Sequence, residues 1–231
     1  MLIIADYRLP EVAKSSLRKE GELLEFKTSG KVYEAISGHP DIFICPTPQK
    51  LILSPQTPRL VVESLTKHSI KFTFGRKNTG FNHPETTHYN AIADGDFLVH
   101  NLNFTDEKIL HAFDNPNRIH INQGYARCNL IPLGNNHFIT SDAGIYKTLK
   151  SRFRILYVSP EGILLKNFEH GFIGGTAGIL ENKIYFAGSL KHFPEGDKVT
   201  EFLHGLDFEI IELYDGPLVD GGGIFFCNDY E

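Results

Sequence analysis

One unit of sequence, strand–tight turn–strand–helix–strand, recurs four times along this 231-residue chain, and a fifth copy is split between the two ends. The clearest copy runs Cys128-Asn-Leu-Ile-Pro-Leu, a turn at Gly134-Asn-Asn, His137-Phe-Ile-Thr-Ser, a helix from Asp142, then Phe153 to Val158. Other copies begin at Asp41, Tyr89 and Thr176. The turns near 49, 94, 135 and 181 are 45, 41 and 46 residues apart (94−49, 135−94, 181−135). Such a period marks stacked or radially arranged units, none of which can bury its apolar face alone.

The last strand-like segment, Gly221-Gly-Gly-Ile-Phe-Phe-Cys, has no partner after it, and the first segment, Leu2-Ile-Ile-Ala, has none before it. A helix from Pro10 to about Lys19 and a strand at Glu22 to Phe26 complete this copy. Proline suits a first helical turn, whose N–H groups lack intrahelical partners. The expectation is therefore an α/β fold of five ββαβ units, closed into a propeller by pairing of the N- and C-terminal strands. Closure would remove the sheet edges that invite aggregation.

Residues 1–231 are expected to form one domain, because no linker-like stretch or charge run divides them and 41% of the residues are hydrophobic. A net charge of −5 and a pI near 6.1 argue against a nucleic-acid surface, which needs clustered Lys and Arg. No run of 18 apolar residues is present, so no membrane partner is expected. The short apolar start, Leu2 to Ala5, does not read as a signal peptide. Three cysteines without framework spacing fit a cytoplasmic protein better than a disulfide scaffold.

Residues just before the first strand of each unit can converge at a common hub. Those positions carry Gly38-His39-Pro-Asp41, His88-Tyr89-Asn90, Arg127-Cys128-Asn129, Gly174-Gly175-Thr176 and Asp220-Gly-Gly-Gly. A purely structural hub favours small residues such as Gly174 and Gly175. A thiol, an imidazole and two carboxylates there point to chemistry instead. Cys128 is the candidate nucleophile, with thiolate character expected from the imidazole of His39 or from Arg127. His39 is the candidate general acid. Asp41, two residues on and expected on the same side of a strand, and Asp220 would hold a planar, multi-donor cation such as a guanidinium. Arg127 and Asn129 are further candidates for substrate binding. Cys45 and Cys227 lie farther along their strands and read as structural. The remaining histidines outside the hub read as surface or packing residues. No set of side chains shows metal-ligand spacing, so neither metal nor cofactor is expected.

These motifs resemble those of the guanidino-group-modifying enzymes, the pentein superfamily, whose fold is a ring of five ββαβ units. Gly38-His39-Pro40-Asp41 is similar to the family's Gly-His-x-Asp, which carries the catalytic His and a substrate-binding Asp. The Arg127-Cys128 segment resembles the nucleophile segment of arginine deiminases. Asp220-Gly-Gly-Gly resembles the family's Glu-Gly-Gly-(Asn/Asp). The order of the units is rotated, as in a circular permutation that a closed ring tolerates. Read without permutation, Cys227 would be the nucleophile and Phe172 and Gly174 would fill the His-x-Asp slot. The resemblance implies a Cys-dependent hydrolase or transferase acting on a small guanidino or amidino compound. The alternative is a non-catalytic pentein used as a binding scaffold. The family's other substrate-binding carboxylate has no counterpart between Gly171 and Leu180, Glu169 being a poorly placed substitute. The oligomeric state is not legible.

Overall fold

The computed structural model describes residues 1–228. The chain begins with β1 (Leu2–Asp6), α1 (Glu11–Glu20) and β2 (Glu22–Phe26). The second unit has β3 (Ile44–Pro46), β4 (Leu51–Leu53), α2 (Arg59–Lys67) and β5 (Phe72–Phe74). The third has β6 (Ile92–Asp94), β7 (Phe97–His100), α3 (Glu107–Leu110) and β8 (Arg118–His120). A helical turn, α4 (Ala126–Asn129), leads into β9 (Leu130–Pro132), β10 (His137–Thr140), α5 (Ala143–Leu149) and β11 (Arg154–Tyr157). The chain continues through β12 (Ala177–Leu180), β13 (Lys183–Phe186), α6 (Gly196–His204), β14 (Glu209–Glu212) and β15 (Phe225–Cys227).

These strands form five three-stranded sheets. In four of them the chain supplies an antiparallel hairpin and then a parallel third strand reached through a helix. The remaining sheet has the same pattern but joins the two ends of the chain. Its β15 pairs antiparallel with β1, placing Leu2, Ile3 and Ile4 opposite Cys227, Phe226 and Phe225. Its β2 pairs parallel with β1. The anticipated partnership of the terminal segments is thus present, with the ends where a hairpin turn would be.

Local chemistry explains the helices. α1, α2, α5 and α6 each bury an i,i+4 pair: Ala13 with Leu17, Val61 with Leu65, Ile145 with Leu149, and Val199 with Leu203. That spacing lays one apolar stripe against the sheet. The Asp142 carboxylate caps α5 by accepting from the Ile145 N–H at 2.8 Å.

Five apolar clusters lie between consecutive sheets. One links the terminal-strand sheet to β3–β5 through Leu2, Phe26, Phe43 and Phe225. Others link β3–β5 to β6–β8, β6–β8 to β9–β11, and β9–β11 to β12–β14. A fifth returns from Tyr185 and Leu213 to Ile3, Ala13 and Leu17. Each fully buried Ile or Leu contributes about 1.5–3 kcal/mol, and these contributions are shared between neighbouring units.

One local expectation fails. The hub residues precede the first strands, but His39 and Asp41 do not share the side of a strand. Pro40–Ile42 and Ile173–Thr176 are 3-10 turns and Ala126–Asn129 is a helical turn, each preceding its strand. Pro40 sets the first of these, with Phe43 N–H returning to Pro40 O at 3.0 Å. His39 and Asp41 are therefore not alternate residues of a strand.

Candidate active site

The connections between sheets, rather than the strands, bring the candidate groups together. His39 is extended (φ −80°, ψ 111°) at the start of its 3-10 turn, and Asp41 lies within that turn. Cys128 sits on α4, and Asp220 on the segment leading to β15. All four are buried, between 0 and 3% exposed.

The Cys128 thiol donates to Asp41 Oδ2, with Sγ and oxygen 2.8 Å apart. Asn90 Nδ2 donates to the same sulfur at 3.3 Å. The Asn90 side-chain oxygen accepts from the backbone N–H groups of Arg127 (2.8 Å) and Cys128 (3.2 Å), clamping the turn that carries the thiol. His39 Nδ1 lies 3.9 Å from Asp220 Oδ1, and His39 Nε2 lies 3.9 Å from Asp6 Oδ2. These separations exceed hydrogen-bond length. Both His39 nitrogens and Asp41 Oδ1 are buried without a partner.

Asp220 is held by two backbone donors, Gly222 N–H to Oδ1 at 3.1 Å and Phe172 N–H to Oδ2 at 3.0 Å. Gly222 has φ +69°, and a Cβ there would come within 2.5 Å of His39 Cβ and 2.7 Å of Asp41 Oδ1. Only glycine lets this loop close over both residues. Gly174 has a different role: a Cβ would lie 2.2 Å from the Arg127 carbonyl oxygen, so its backbone packs directly on α4.

The electrostatics correct the expectation of a thiolate at rest. Burial, reinforced by Asp41 and Asp220, pushes the Cys128 thiol well above its ordinary value, while the Asn90 contact pulls the other way. Burial raises Asp41 to about 6, against the thiol contact and Arg127. It raises Asp220 as well, against His39. Burial also lowers His39, despite the opposing pull of Asp220 and Asp6, and so favours the neutral imidazole. The site at rest is a thiol, a neutral imidazole and a set of carboxyls.

His39, Cys128 and Asp220 open into a cavity of about 130 Å³. Tyr33, Ile36, Tyr125, Leu165, Phe168 and Phe172 form most of its remaining wall. Sequence reasoning missed Tyr33, Ile36, Leu165 and Phe168, and also His170 on the same wall, since they come from inter-sheet connections with no motif. It also left Asn90 without a role, although Asn90 occupies the same repeat position as Cys128. Asp6 at the end of β1 was missed entirely. Glu169 is exposed and does not line the cavity.

Arg127 and Asn129 lie outside this cavity, and the helical turn is the reason. Successive residues there point about 100° apart, so the neighbours of Cys128 face elsewhere. Arg127 donates to Gly174 O at 2.7 Å and Ala177 O at 3.4 Å, and its guanidinium lies 5.7 Å from the Phe225 ring centre. It lines a different cavity of about 370 Å³ between the first strands, shared with Ile131, Ala177 and Cys227. The Asn129 amide donates to Tyr125 O at 2.9 Å. Cys45 and Cys227 are buried away from the site, each pushed up to about 12 by burial. Phe172 contributes to the cavity wall and an N–H to Asp220, not an imidazole.

His39, Asp41 and Cys128 each offer one atom able to ligate a metal, and these atoms lie within 4.8 Å of one another. An imidazole, a carboxylate and a thiol would suit a zinc-like ion. Linear spacing could not show this set, because Cys128 is 87 residues from Asp41. Among the described residues, no helix is long and apolar enough to cross a membrane.

The five-sheet fold is similar to those of two solved enzymes. DDAH from Pseudomonas aeruginosa, a mutant complexed with citrulline, superposes with a TM-score of 0.55 at 11% identity, covering 91% of each chain. SxtG, an amidinotransferase of the saxitoxin biosynthetic pathway from Microseira wollei, gives 0.53 at 12% identity, covering 91% of this chain and 87% of its own. By sequence, the chain belongs to a family of unknown function (DUF6873), which matches residues 4–225. No curated protein matches it in sequence.

Proposed function

We propose that this protein is a cysteine-dependent hydrolase or transferase acting on a guanidino or amidino compound, built on a closed propeller of five ββαβ units. The order of its units is a rotation of that in other penteins. The propeller reading is supported by the terminal-strand pairing and by apolar clusters between successive sheets, including the last and the first.

The observation that carries the chemistry is the orphaned imidazole. His39 is 1% exposed, and neither ring nitrogen has a partner. Leaving a buried polar atom unpaired costs about 1–3 kcal/mol. A non-catalytic scaffold gains nothing from that cost, whereas a proton-transfer group beside a thiol has a use for both nitrogens.

A guanidinium entering the cavity brings positive charge beside Asp220 and the Cys128 sulfur. That charge opposes the burial and the carboxylates that hold the thiol protonated, so thiolate forms when substrate is present. The thiol proton passes to neutral His39. Sulfur attacks the central carbon, a C–S bond forms, and a C–N bond breaks as His39 protonates the departing amine. His39 then takes a proton from water, or from an acceptor amine, that attacks the thiouronium carbon. Cleavage of the C–S bond releases the product, and the sulfur recovers its proton. Asp41 and Asp220 accept from the substrate's N–H groups.

The test is ureido-product formation from a panel of guanidines by the wild type, Cys128→Ala and His39→Ala. Turnover by the wild type alone, with a Cys128-linked adduct in intact-protein mass spectra, supports the reading. A wild type inert on every guanidine, with no Cys128-linked adduct formed from any of them, overturns it.

A further inference from the structure

The wall of the cavity above its catalytic floor has a composition that limits what the substrate can carry. Its volume of about 130 Å³ is well below the roughly 300–1,000 Å³ of sites for drug-sized ligands. Among the described residues, no lysine or arginine lines it, and its basic side chains are His39 and His170, the latter with Nδ1 3.1 Å from the Gly171 carbonyl. The two tyrosine hydroxyls are already engaged. Tyr33 and Tyr125 lie 3.3 Å apart, oxygen to oxygen, and Tyr125 is 2.6 Å from the Thr86 hydroxyl. Phe168, half exposed at 53%, stands 6.1 Å from the Tyr33 ring, centre to centre.

Arg8 and Lys166 face a neighbouring cavity of about 250 Å³ that shares Leu165 and Asp220 with this one. Arg8 grips both Asp6 oxygens, with Nε 2.9 and 3.1 Å from them, and its Nη2 donates to the Ala35 carbonyl at 2.8 Å. Lys166 is paired with Glu34. The segment between the cavities is pinned, Leu164 N–H donating to Leu218 O at 2.8 Å and Asp220 N–H to Leu164 O at 2.9 Å. A carboxylate attached to the substrate would be desolvated against Phe168, Tyr33 and Leu165 with no lysine or arginine to meet it. An alkyl or aryl group would bury apolar surface there, and the rings can also face the guanidinium charge.

We propose that the substrate is a small guanidine or amidine bearing an apolar substituent and no carboxylate, an inference that rests on the function proposed for this site and narrows it. Neutral apolar tails are selected by Phe168, Leu165 and Ile36, and amino-acid guanidines are disfavoured because no lysine or arginine lines the wall.

The experiment compares kcat/KM for n-butylguanidine, unsubstituted guanidine, 4-guanidinobutyrate and L-arginine, in the wild type and in Phe168→Ala. Butylguanidine is expected to exceed both carboxylated compounds by at least about tenfold, and Phe168→Ala to cut the butylguanidine-to-guanidine ratio by about tenfold. A carboxylated compound processed as well as butylguanidine, or a ratio that Phe168→Ala leaves unchanged, overturns the substrate class alone. If no compound is turned over and none leaves a Cys128-linked adduct in intact-protein mass spectra, the catalytic reading fails and this inference with it.

Discussion

Asn90 holds Cys128 at two points, its amide nitrogen 3.3 Å from the sulfur and its amide oxygen 3.2 Å from the backbone nitrogen. One side chain from the preceding unit thus fixes where the thiol sits and offers the sulfur a hydrogen-bond donor. Asn90 is itself fully buried, with an amide hydrogen also directed at the Asp41 carbonyl at 3.4 Å. Asn90→Asp keeps the shape but replaces the donor with an acceptor. It is expected to lower kcat by roughly 10²-fold, a loss of about 3 kcal/mol, and to shift iodoacetamide alkylation of Cys128 to higher pH. Wild-type kcat in a folded Asn90→Asp protein would remove Asn90 from the mechanism.

The resting thiol should be sluggish. With Cys128 held above its ordinary value by burial and two carboxylates, alkylation of the ligand-free protein should lag behind a free thiol of pKa about 8.5. It should accelerate only at a higher pH than a free thiol does. Rates of iodoacetamide modification between pH 6 and 10, resolved by peptide mass spectrometry, check this. Labelling of Cys128 at pH 7 that is faster than that of glutathione would contradict the electrostatic picture.

His39 should be worth more to activity than to stability. Its ring nitrogens make no hydrogen bonds, so His39→Leu removes two unpaired buried polar atoms at similar volume. The expected result is a melting temperature equal to or above the wild type and a fall in kcat of about 10²–10⁴-fold. Thermal unfolding and turnover measured on the same preparation separate the two effects. A large drop in stability would mean that His39 is structural.

His100 should give the protein an acid-sensitive step. It is fully buried, with Nε2 2.8 Å from the Gly124 carbonyl and Nδ1 2.7 Å from the Thr105 hydroxyl, and burial lowers it to about 4. The unfolded chain takes up this proton near pH 6.5, the native state only near 4, so stability falls as pH drops between these values. The full effect is about 3 kcal/mol. Asp41, raised to about 6, acts in the opposite sense: its contribution is present below the unfolded carboxyl value and is lost as pH rises through 6. The clean measure is therefore the difference between wild type and His100→Gln in urea unfolding at pH 7 and pH 4.5. A difference that does not change with pH would rule out the neutral buried ring.

Gly174→Ala tests the packing beneath the nucleophile. Its new methyl group would meet the Arg127 and Cys128 carbonyl oxygens at 2.2 and 2.7 Å, and both are backbone atoms that cannot rotate away. A destabilisation of about 1–3 kcal/mol is expected, with loss of turnover as α4 shifts. Urea unfolding together with kcat would show it. An unperturbed variant would mean that α4 has room to move.

Much of the architecture was legible because repetition is a property of the chain itself. The period near 45 residues, the i,i+4 apolar pairs such as Val61 with Leu65, and the unpartnered apolar segments at each end define units that must share their cores. The hub residues were legible for the same reason: equivalent positions in a repeat carry Cys128, Asn90, Asp41 and Asp220. What linear order could not settle was direction. On the short turns before β3 and β9, a rotation of about 100° per residue sends Cys128 into the cavity and leaves Arg127 and Asn129 outside it.

By itself, then, the sequence determined five ββαβ units, the meeting of its two ends, and which polar side chains approach a common centre, since periodic burial dictates all three. Only the tertiary structure decided that Asp6 joins the group, that Asn90 clamps the thiol, that Tyr33 and Phe168 wall the cavity, and that the thiol rests protonated. Those outcomes depend on how deeply the assembled units exclude water and which carboxylates they press together, and both are set only once residues far apart in the chain are in contact.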